Sequence, residues 1–322
     1  MNNLIHKHVL VTGGAGFIGS NLVEALLNQN VRVSVFDNLS TGKKVNLLEF
    51  QKHPLFTFIE GDICDYDTCL KALEGVDVVS HQAALGSVPR SIEFPHATHH
   101  VNATGFLNML HASKEKGIKR FVYASSSSVY GNSTISPKTI GSEGELLSPY
   151  AVTKQLNEMY ANVYHKLHGM ETVGLRYFNV FGPKQDPNGV YAAAIPKFID
   201  KMMNGEEITI NGDGEQTRDF TYVKNAVKAN LLGLSTENTD AFGKVFNVAC
   251  GHYFSLNNVV SSIQSELEKL GKYNPQSKVV HGPERAGDVR DSLADIVNTE
   301  KILEYSNLTY FHDGITEYLK MF

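Results

Sequence analysis

The sequence predicts an α/β protein: a doubly wound parallel sheet followed by a smaller C-terminal α/β domain. Three observations carry that expectation. Short, continuous apolar runs alternate with helical patterns through the first half of the 322 residues. A glycine-rich turn joins the first apolar run directly to the first helical pattern. The second half is less regular and is punctuated by turns such as Asn-Gly-Asp-Gly at 211–214. Continuous apolar strands mark a parallel sheet, because helices cover both of its faces.

Residues 8–11 (His-Val-Leu-Val) read as the first buried strand. A helix follows over about 17–28, with Leu22, Leu26 and Leu27 on one face. Residues 31–36 form a second strand, 57–59 a third and 76–80 a fourth, with a helix over about 68–73 between the last two. A longer helix over about 101–116 leads to a fifth strand at 120–124, and 219–223 is strand-like in the second half. At about 150 residues per domain the length suggests two. Residues 1–181, with a return segment at about 224–250, are expected to form the sheet domain. Residues 182–223 and 251–322 then form the smaller lobe, packed over the carboxyl ends of the strands.

Hydrophobic residues make up 42% and charged residues 20%, enough for a large core and too apolar for a disordered chain. Lys and Arg number 29 against 34 Asp and Glu, a net charge of −5, so nothing draws the chain generally to nucleic acid or an anionic membrane. Cys64, Cys69 and Cys250 cannot build a disulfide framework or a zinc site and read as reduced thiols of a cytoplasmic protein. Apolar stretches break well before the ~18 residues of a membrane span, and no signal peptide is evident. His96, His99 and His100, with His111 beyond, have a spacing that a metal could use, but Glu93 is the sole acid among them. They are expected to be surface or helix-end histidines, with no metal bound.

Thr-Gly-Gly-Ala-Gly-Phe-Ile-Gly over 12–19 places Gly13, Gly14, Gly16 and Gly19 between the first strand and the first helix. Glycines there allow a tight turn, close approach of backbone to a pyrophosphate, and close packing of helix on strand. The helix N-terminus offers free N–H groups to the anion. Asp37 closes the second strand, where a carboxylate accepts hydrogen bonds from a ribose 2′-OH and repels a 2′-phosphate. A Rossmann-type domain that binds NAD is the expectation; Lys43 and Lys44 nearby leave NADP as the alternative. Asp62, after the third strand, is placed to meet the adenine or to cap a turn.

Ser-Pro-Tyr-Ala-Val-Thr-Lys over 148–154 sets Tyr150 and Lys154 four apart at the start of a helix, on one face. A free phenol, with a pKa of about 10, is too weakly acidic to serve as a base near neutrality. A neighbouring ammonium, reinforced by an oxidised nicotinamide, favours the phenolate. Ser126, in the serine run leaving the fifth strand, is the hydroxyl expected against a substrate alcohol; Ser125, Ser127 and Ser128 are its neighbours.

With these motifs the chain resembles the extended short-chain dehydrogenase/reductases of the nucleotide-sugar epimerase and dehydratase group. Within that group it more closely resembles bacterial UDP-N-acetylglucosamine 4-epimerases. Gln-Ala-Ala-Leu-Gly-Ser-Val-Pro-Arg-Ser at 82–91, Arg-Tyr-Phe-Asn-Val-Phe-Gly at 176–182, the run at 185–197 and Gly-Asp-Val-Arg-Asp-Ser-Leu-Ala-Asp at 287–295 carry the likeness. The resemblance implies NAD contacts at Phe17, Ile18, Asp37, Asn38, Asp62, Ile63, Ala83, Asn102, Tyr150 and Lys154. It implies sugar contacts at Gly86, Ser87, Ser126, Ser127, Tyr150 and Asn179. Arg218, Arg285 and Asp288 match positions that grip the diphosphate and nucleoside, where guanidinium forks suit the anion. A homodimer through helices of the Rossmann domain is implied as well.

The group shares a first step, oxidation of the sugar at C4. A 4,6-dehydratase then needs carboxylates in the two positions after the catalytic hydroxyl, and this chain has Ser127 and Ser128 there. A decarboxylase usually has Glu where Ser128 stands. A 4-epimerase needs no further acid. Among epimerases, Ser292 matches a gatekeeper position where a bulky Tyr confines relatives to plain hexoses, so a small residue leaves room for a 2-acetamido group. UDP-glucuronate or UDP-glucose 4-epimerisation is the alternative, and a non-catalytic NAD-binding sensor a remote one.

Overall fold

The computed structural model describes residues 4–188, 192–283 and 290–322. Seven strands form one sheet in the order β11-β6-β5-β4-β1-β2-β3, every neighbouring pair parallel. They are β1 (His8–Thr12), β2 (Arg32–Asp37), β3 (Phe56–Glu60), β4 (Val78–His81), β5 (Arg120–Ser126), β6 (Glu171–Tyr177) and β11 (Lys244–Val248). The order reverses between β1 and β4, so the carboxyl ends of the strands open a crevice there.

Alternate side chains feed two cores. Val9, Val11, Val33, Val35 and Val122 face α1 (Phe17–Leu27) and α8 (Val223–Ser235), whereas Leu10, Phe36, Val79, Phe121 and Tyr123 face α2 (Tyr66–Ala72), α5 (Phe106–Glu115) and α6 (Pro149–His168). That two-sided burial explains why the strands read as unbroken apolar runs. The first core continues without a break into the smaller lobe through Phe181, Ile195, Phe198, Phe220 and Phe311. This lobe contains β7 (Val180–Phe181), α7 (Ala194–Asn204), β8 (Glu207–Asn211), β9 (Thr217–Arg218), β10 (Thr221–Tyr222), β12 (Phe254–Ser255), α9 (Leu256–Lys269), β13 (Lys278–Gly282), β14 (Asp291–Ser292) and α11 (Phe311–Leu319). A further helix, α10 (Val297–Leu303), packs on α8 and β11.

The structure departs from the sequence expectations at several boundaries. The helix expected over 101–116 begins earlier, because Pro95 sets its first turn: α4 (Pro95–His99) runs through a π-helical turn, His100–Gly105, into α5. α3 (Val88–Glu93) precedes it and was not anticipated. β5 extends to Ser126, so the serine run begins inside the sheet. The strand-like 219–223 shortens to β10, with Asp219 and Phe220 outside it. His96, His99 and His100 are exposed, and among the described residues no group of His, Cys, Asp and Glu is arranged to hold a metal. No described helix is long and apolar enough to cross a membrane.

The β1–α1 turn leaves no room for side chains. Gly13 has φ +65°, and a Cβ there would stand 2.6 Å from the Ala83 nitrogen. A Cβ on Gly19 would overlap the Gly13 carbonyl oxygen. Gly13→Ala therefore combines left-handed strain with a backbone clash, and is expected to lower the unfolding free energy by about 2 kcal/mol or more in urea titration.

Candidate functional site

Three cavities that share lining residues run in series from the carboxyl edge of the sheet into the smaller lobe. The first, about 320 Å³, is lined by the glycine turn, Asp37, Ile63, Ala83, Gly86, Tyr150 and Lys154. It meets the second, about 370 Å³, at Tyr150 and Tyr177. The third, about 400 Å³, lies in the smaller lobe and shares Asn179 and Arg218 with the second. Each is of the size of a small-molecule subsite.

In the first cavity, α1 starts at Gly16 with no side chain capping it and no acid in its first turn. Its N–H groups are thus left to an anionic ligand. Asp37 is buried at the end of β2 and accepts the Ala15 N–H (2.9 Å) and Leu39 N–H (2.8 Å). Burial pushes its pKa up, against those two bonds. Each carboxylate oxygen keeps a lone pair for a ribose hydroxyl. Phe17 and Ile18 line the same cavity, while Asn38 sits beside Asp37 and donates to Asp62 (3.0 Å), which also accepts the Cys64 N–H (2.8 Å). The glycine cradle, the uncapped helix and the carboxylate together fit a dinucleotide.

Asn102 is placed differently from the residues it was grouped with. It sits in the π-helical turn, and its amide holds Leu85 through both backbone groups (2.7 and 3.1 Å) and reaches Thr153 (3.3 Å). Asn102 thereby secures the loop after β4, beside the first cavity that Leu85 lines.

At the junction of the first two cavities, Ser148 caps α6 by accepting the Ala151 N–H (3.1 Å), and Pro149 opens the helix. Tyr150 therefore projects from the first turn, with Lys154 one turn on. The Lys154 ammonium is buried, donates to the Ala124 carbonyl (2.8 Å) and lies 5.8 Å from the Tyr150 ring centre. Burial pulls its pKa down to about 8, opposed by Glu158. For Tyr150, burial raises the pKa in the resting protein, and a hydrogen bond with Ser126 only partly opposes this. Desolvation disfavours the charged phenolate, and a positive charge arriving beside the phenol favours it. Ser126 ends β5 and also accepts the Ser128 N–H (3.1 Å).

Ser87, Ser126, Ser127, Asn179, Arg218 and Ser292 line the second cavity together. Ser87 has φ +98° and caps α3 by accepting the Arg90 N–H (3.3 Å). Asn179, with φ +38°, donates to the Asp219 carbonyl (2.9 Å). Ser292 pairs with Arg218 in the β14–β9 register, and the Arg218 guanidinium donates to the Thr217 (2.7 Å) and Arg290 (3.0 Å) carbonyls. Arg285 and Asp288 lie outside the described residues.

Several residues around the groove had no signal in spacing. Tyr177 donates to Gln82 (3.0 Å) and accepts from Asn230 (2.7 Å), a buried network that forms the wall between the cavities. Glu158 takes Ser125 Oγ and two Arg176 nitrogens (2.8 and 2.7 Å), bracing the strand end behind Ser126. Lys138 is buried in the wall of the second cavity and donates to the Ser133 carbonyl. Arg176 and Tyr177 stood inside a quoted motif, and only the fold shows what they touch.

The profile of the NAD dependent epimerase/dehydratase family matches residues 9–249. A "Putative UDP-glucose 4-epimerase" of Methanocaldococcus jannaschii is 38% identical over 91% of this chain and 92% of its own. The solved UDP-N-acetylglucosamine 4-epimerase of Methanobrevibacter ruminantium, in complex with UDP-N-acetylmuramic acid, is 41% identical, covers 98% of this chain and 96% of its own, and superposes with a TM-score of 0.87. The UDP-glucuronic acid 4-epimerase of Bacillus cereus, with UDP-glucuronic acid and NAD, is 33% identical over 98% of this chain and 99% of its own, with a TM-score of 0.86. Full-length likeness of this order, on a cradle shaped for a dinucleotide, places the chain in the NAD dependent epimerase/dehydratase family, with NAD as its cofactor.

Proposed function

We propose that the protein is a UDP-hexose 4-epimerase whose preferred pair is UDP-N-acetylglucosamine and UDP-N-acetylgalactosamine. The observation that carries the choice is Ser292 in the wall of the central cavity, facing the same space as Ser87, Ser126 and Asn179. A hydroxymethyl group there leaves volume for a 2-acetamido substituent. The architecture of the groove supports the order dinucleotide, sugar, nucleoside diphosphate along its length.

In this reading Tyr150 takes the proton of the sugar 4-hydroxyl and Ser126 holds that hydroxyl in line. Lys154, fixed on the Ala124 carbonyl, keeps a positive charge beside the phenol. Bound NAD supplies the hydride acceptor at C4 and the hydride donor for the return. Arg218 and the smaller lobe hold the diphosphate and nucleoside while the 4-keto sugar turns over, so that hydride would return to the opposite face of C4 as Tyr150 gives the proton back to the C4 oxygen. Arg285 and Asp288 are proposed to share the diphosphate and nucleoside. Gly13, Gly16, Gly19, Asp37 and Ile63 are proposed to seat the cofactor.

Lys138 favours a second reading. An ammonium in the wall of the sugar cavity suits a hexose bearing a carboxylate, so UDP-glucuronate is the substrate to run beside the acetylated and plain sugars. A homodimer is also proposed. On α6 the exposed Val152, Met159, Val163 and Leu167 recur at helical spacing, beside exposed Ile92 and Phe94 of the neighbouring α3 segment. Such a stripe is the seam for a second copy of the same helix.

Four outcomes check these statements. Proton NMR of the protein with UDP-N-acetylglucosamine, UDP-glucose and UDP-glucuronate should show C4 inversion fastest for the acetylated sugar; Tyr150→Phe should lower kcat by about 10²–10⁴-fold while NAD stays bound. Ser292→Tyr should depress kcat/KM for the acetylated sugar by at least about tenfold relative to UDP-glucose, about 1.4 kcal/mol of discrimination, and an unchanged ratio would remove Ser292 as the gatekeeper. Met159→Glu should convert a dimer to monomer in sedimentation velocity; a wild-type monomer would refute the seam.

A further inference from the structure

Asp219 has no solvent exposure and no place in the proton or hydride chemistry, yet two chain segments that line the sugar cavity, and the turn after β11, converge on it. Its carbonyl oxygen accepts the Asn179 side-chain amide (2.9 Å), and its N–H donates to the Ser292 carbonyl (2.8 Å). Its carboxylate accepts the N–H of Cys250 (3.0 Å) and Gly251 (3.0 Å), in the turn after β11, and of Ala294 (3.4 Å). The segment at Ser292 is therefore tied to Asp219 twice, through the Ser292 carbonyl and through the N–H two residues later. The same carboxylate anchors that segment to the end of the parallel sheet.

We propose that Asp219 is the positioning residue of the sugar cavity: its backbone holds Asn179 and Ser292, and its carboxylate ties the segment after Ser292, at Ala294, to the turn after β11, so that the cavity wall keeps register with the end of the sheet. This inference rests on the epimerase reading and adds to it the element that sets the distance between the two halves of the site. The chemistry of the donor set supports it. Three backbone N–H groups aimed at one carboxyl group favour the ionised acid, because protonation turns one acceptor site into a donor.

The carboxyl is costly to ionise where it stands. Burial pushes its pKa up to about 7, and the backbone bonds from Cys250, Ala294, Gly251 and His252 only partly offset this. Among the described residues, the titratable groups facing it are the Cys250 thiol, on the turn after β11, and the Tyr305 phenol, on the segment after α10. Burial holds both protonated, the thiol pushed up to about 12. Arg218, its chain neighbour on β9, spends hydrogen bonds on the Thr217 and Arg290 carbonyls. A raised pKa means that Asp219 gains its proton as pH falls through neutrality, so its hold on the Ala294 and Gly251 N–H groups weakens on the acid side.

The test compares wild type and Asp219→Asn as NAD-loaded enzymes, with UDP-N-acetylglucosamine and UDP-glucose, from about pH 6 to about pH 8. A positioning role predicts that KM for the acetylated sugar rises about tenfold in the variant while kcat changes less than about threefold and bound NAD is retained. The preference for the acetylated sugar should shrink in parallel. Wild-type KM should rise toward the acid end, and the KM of D219N should be flat with pH. Wild-type turnover with a KM that does not change between those pH values overturns the inference even if D219N fails to fold. An active D219N with unchanged KM and unchanged substrate preference overturns it as well. Wild type that inverts no UDP-sugar overturns the epimerase reading, and this inference with it.

Discussion

Everything in the site follows from one constraint: a parallel sheet buried on both faces brings all its strands to an end on the same edge. β1 delivers the glycine turn, β2 delivers Asp37, β5 delivers Ser126, and β6 delivers Tyr177 to that edge. Because the sheet is rigid and its two cores are separate, the spacing between those ends is fixed before any ligand arrives. Helix α6 then needs only a well-placed start. Ser148 and Pro149 supply it, and Tyr150 lands beside the end of β5.

Charge burial sets the chemistry of that edge. Lys154 and Tyr150 are both removed from water in the resting protein, and burial moves both toward their neutral forms. The pair is thus poised to respond to a positive charge arriving next to the phenol. Behind it, His81 is pulled down to about 3 by burial, with Lys154 adding to the effect, so it stays neutral while bonding Thr12 (2.9 Å). Glu158 and Arg176 neutralise each other beneath Ser125, which keeps the strand end from relaxing.

The smaller lobe is joined to the sheet by more than its linkers. A single apolar core runs from α1 and α8 through Phe181 and Phe220 to Phe311, and Asp219 ties β14 to the turn after β11. A lobe attached in this way closes one side of the groove at a set distance. That suits a reaction in which a diphosphate is gripped while the sugar beyond it reorients.

Local chemistry made much of this readable in one dimension. The glycine turn is legible because backbone approach to an anion demands glycine, and Tyr150 and Lys154 because a helical period of four places them on one face. The alternation of apolar strands and helices foretold the sheet, although β6 and β11, which complete it, were not marked off. Other features are contacts between residues far apart in the chain. Asn102 meets Leu85 and Thr153. Tyr177 meets Gln82 and Asn230, and Asp219 meets Cys250 and Ala294. No periodicity encodes such pairs, since each exists only after the strand order and the seating of the lobe are decided. The sequence determined which groups are present and which local turns they occupy; the tertiary structure decided which buried polar atoms face one another, because burial in a shared cavity forces each to find its partner.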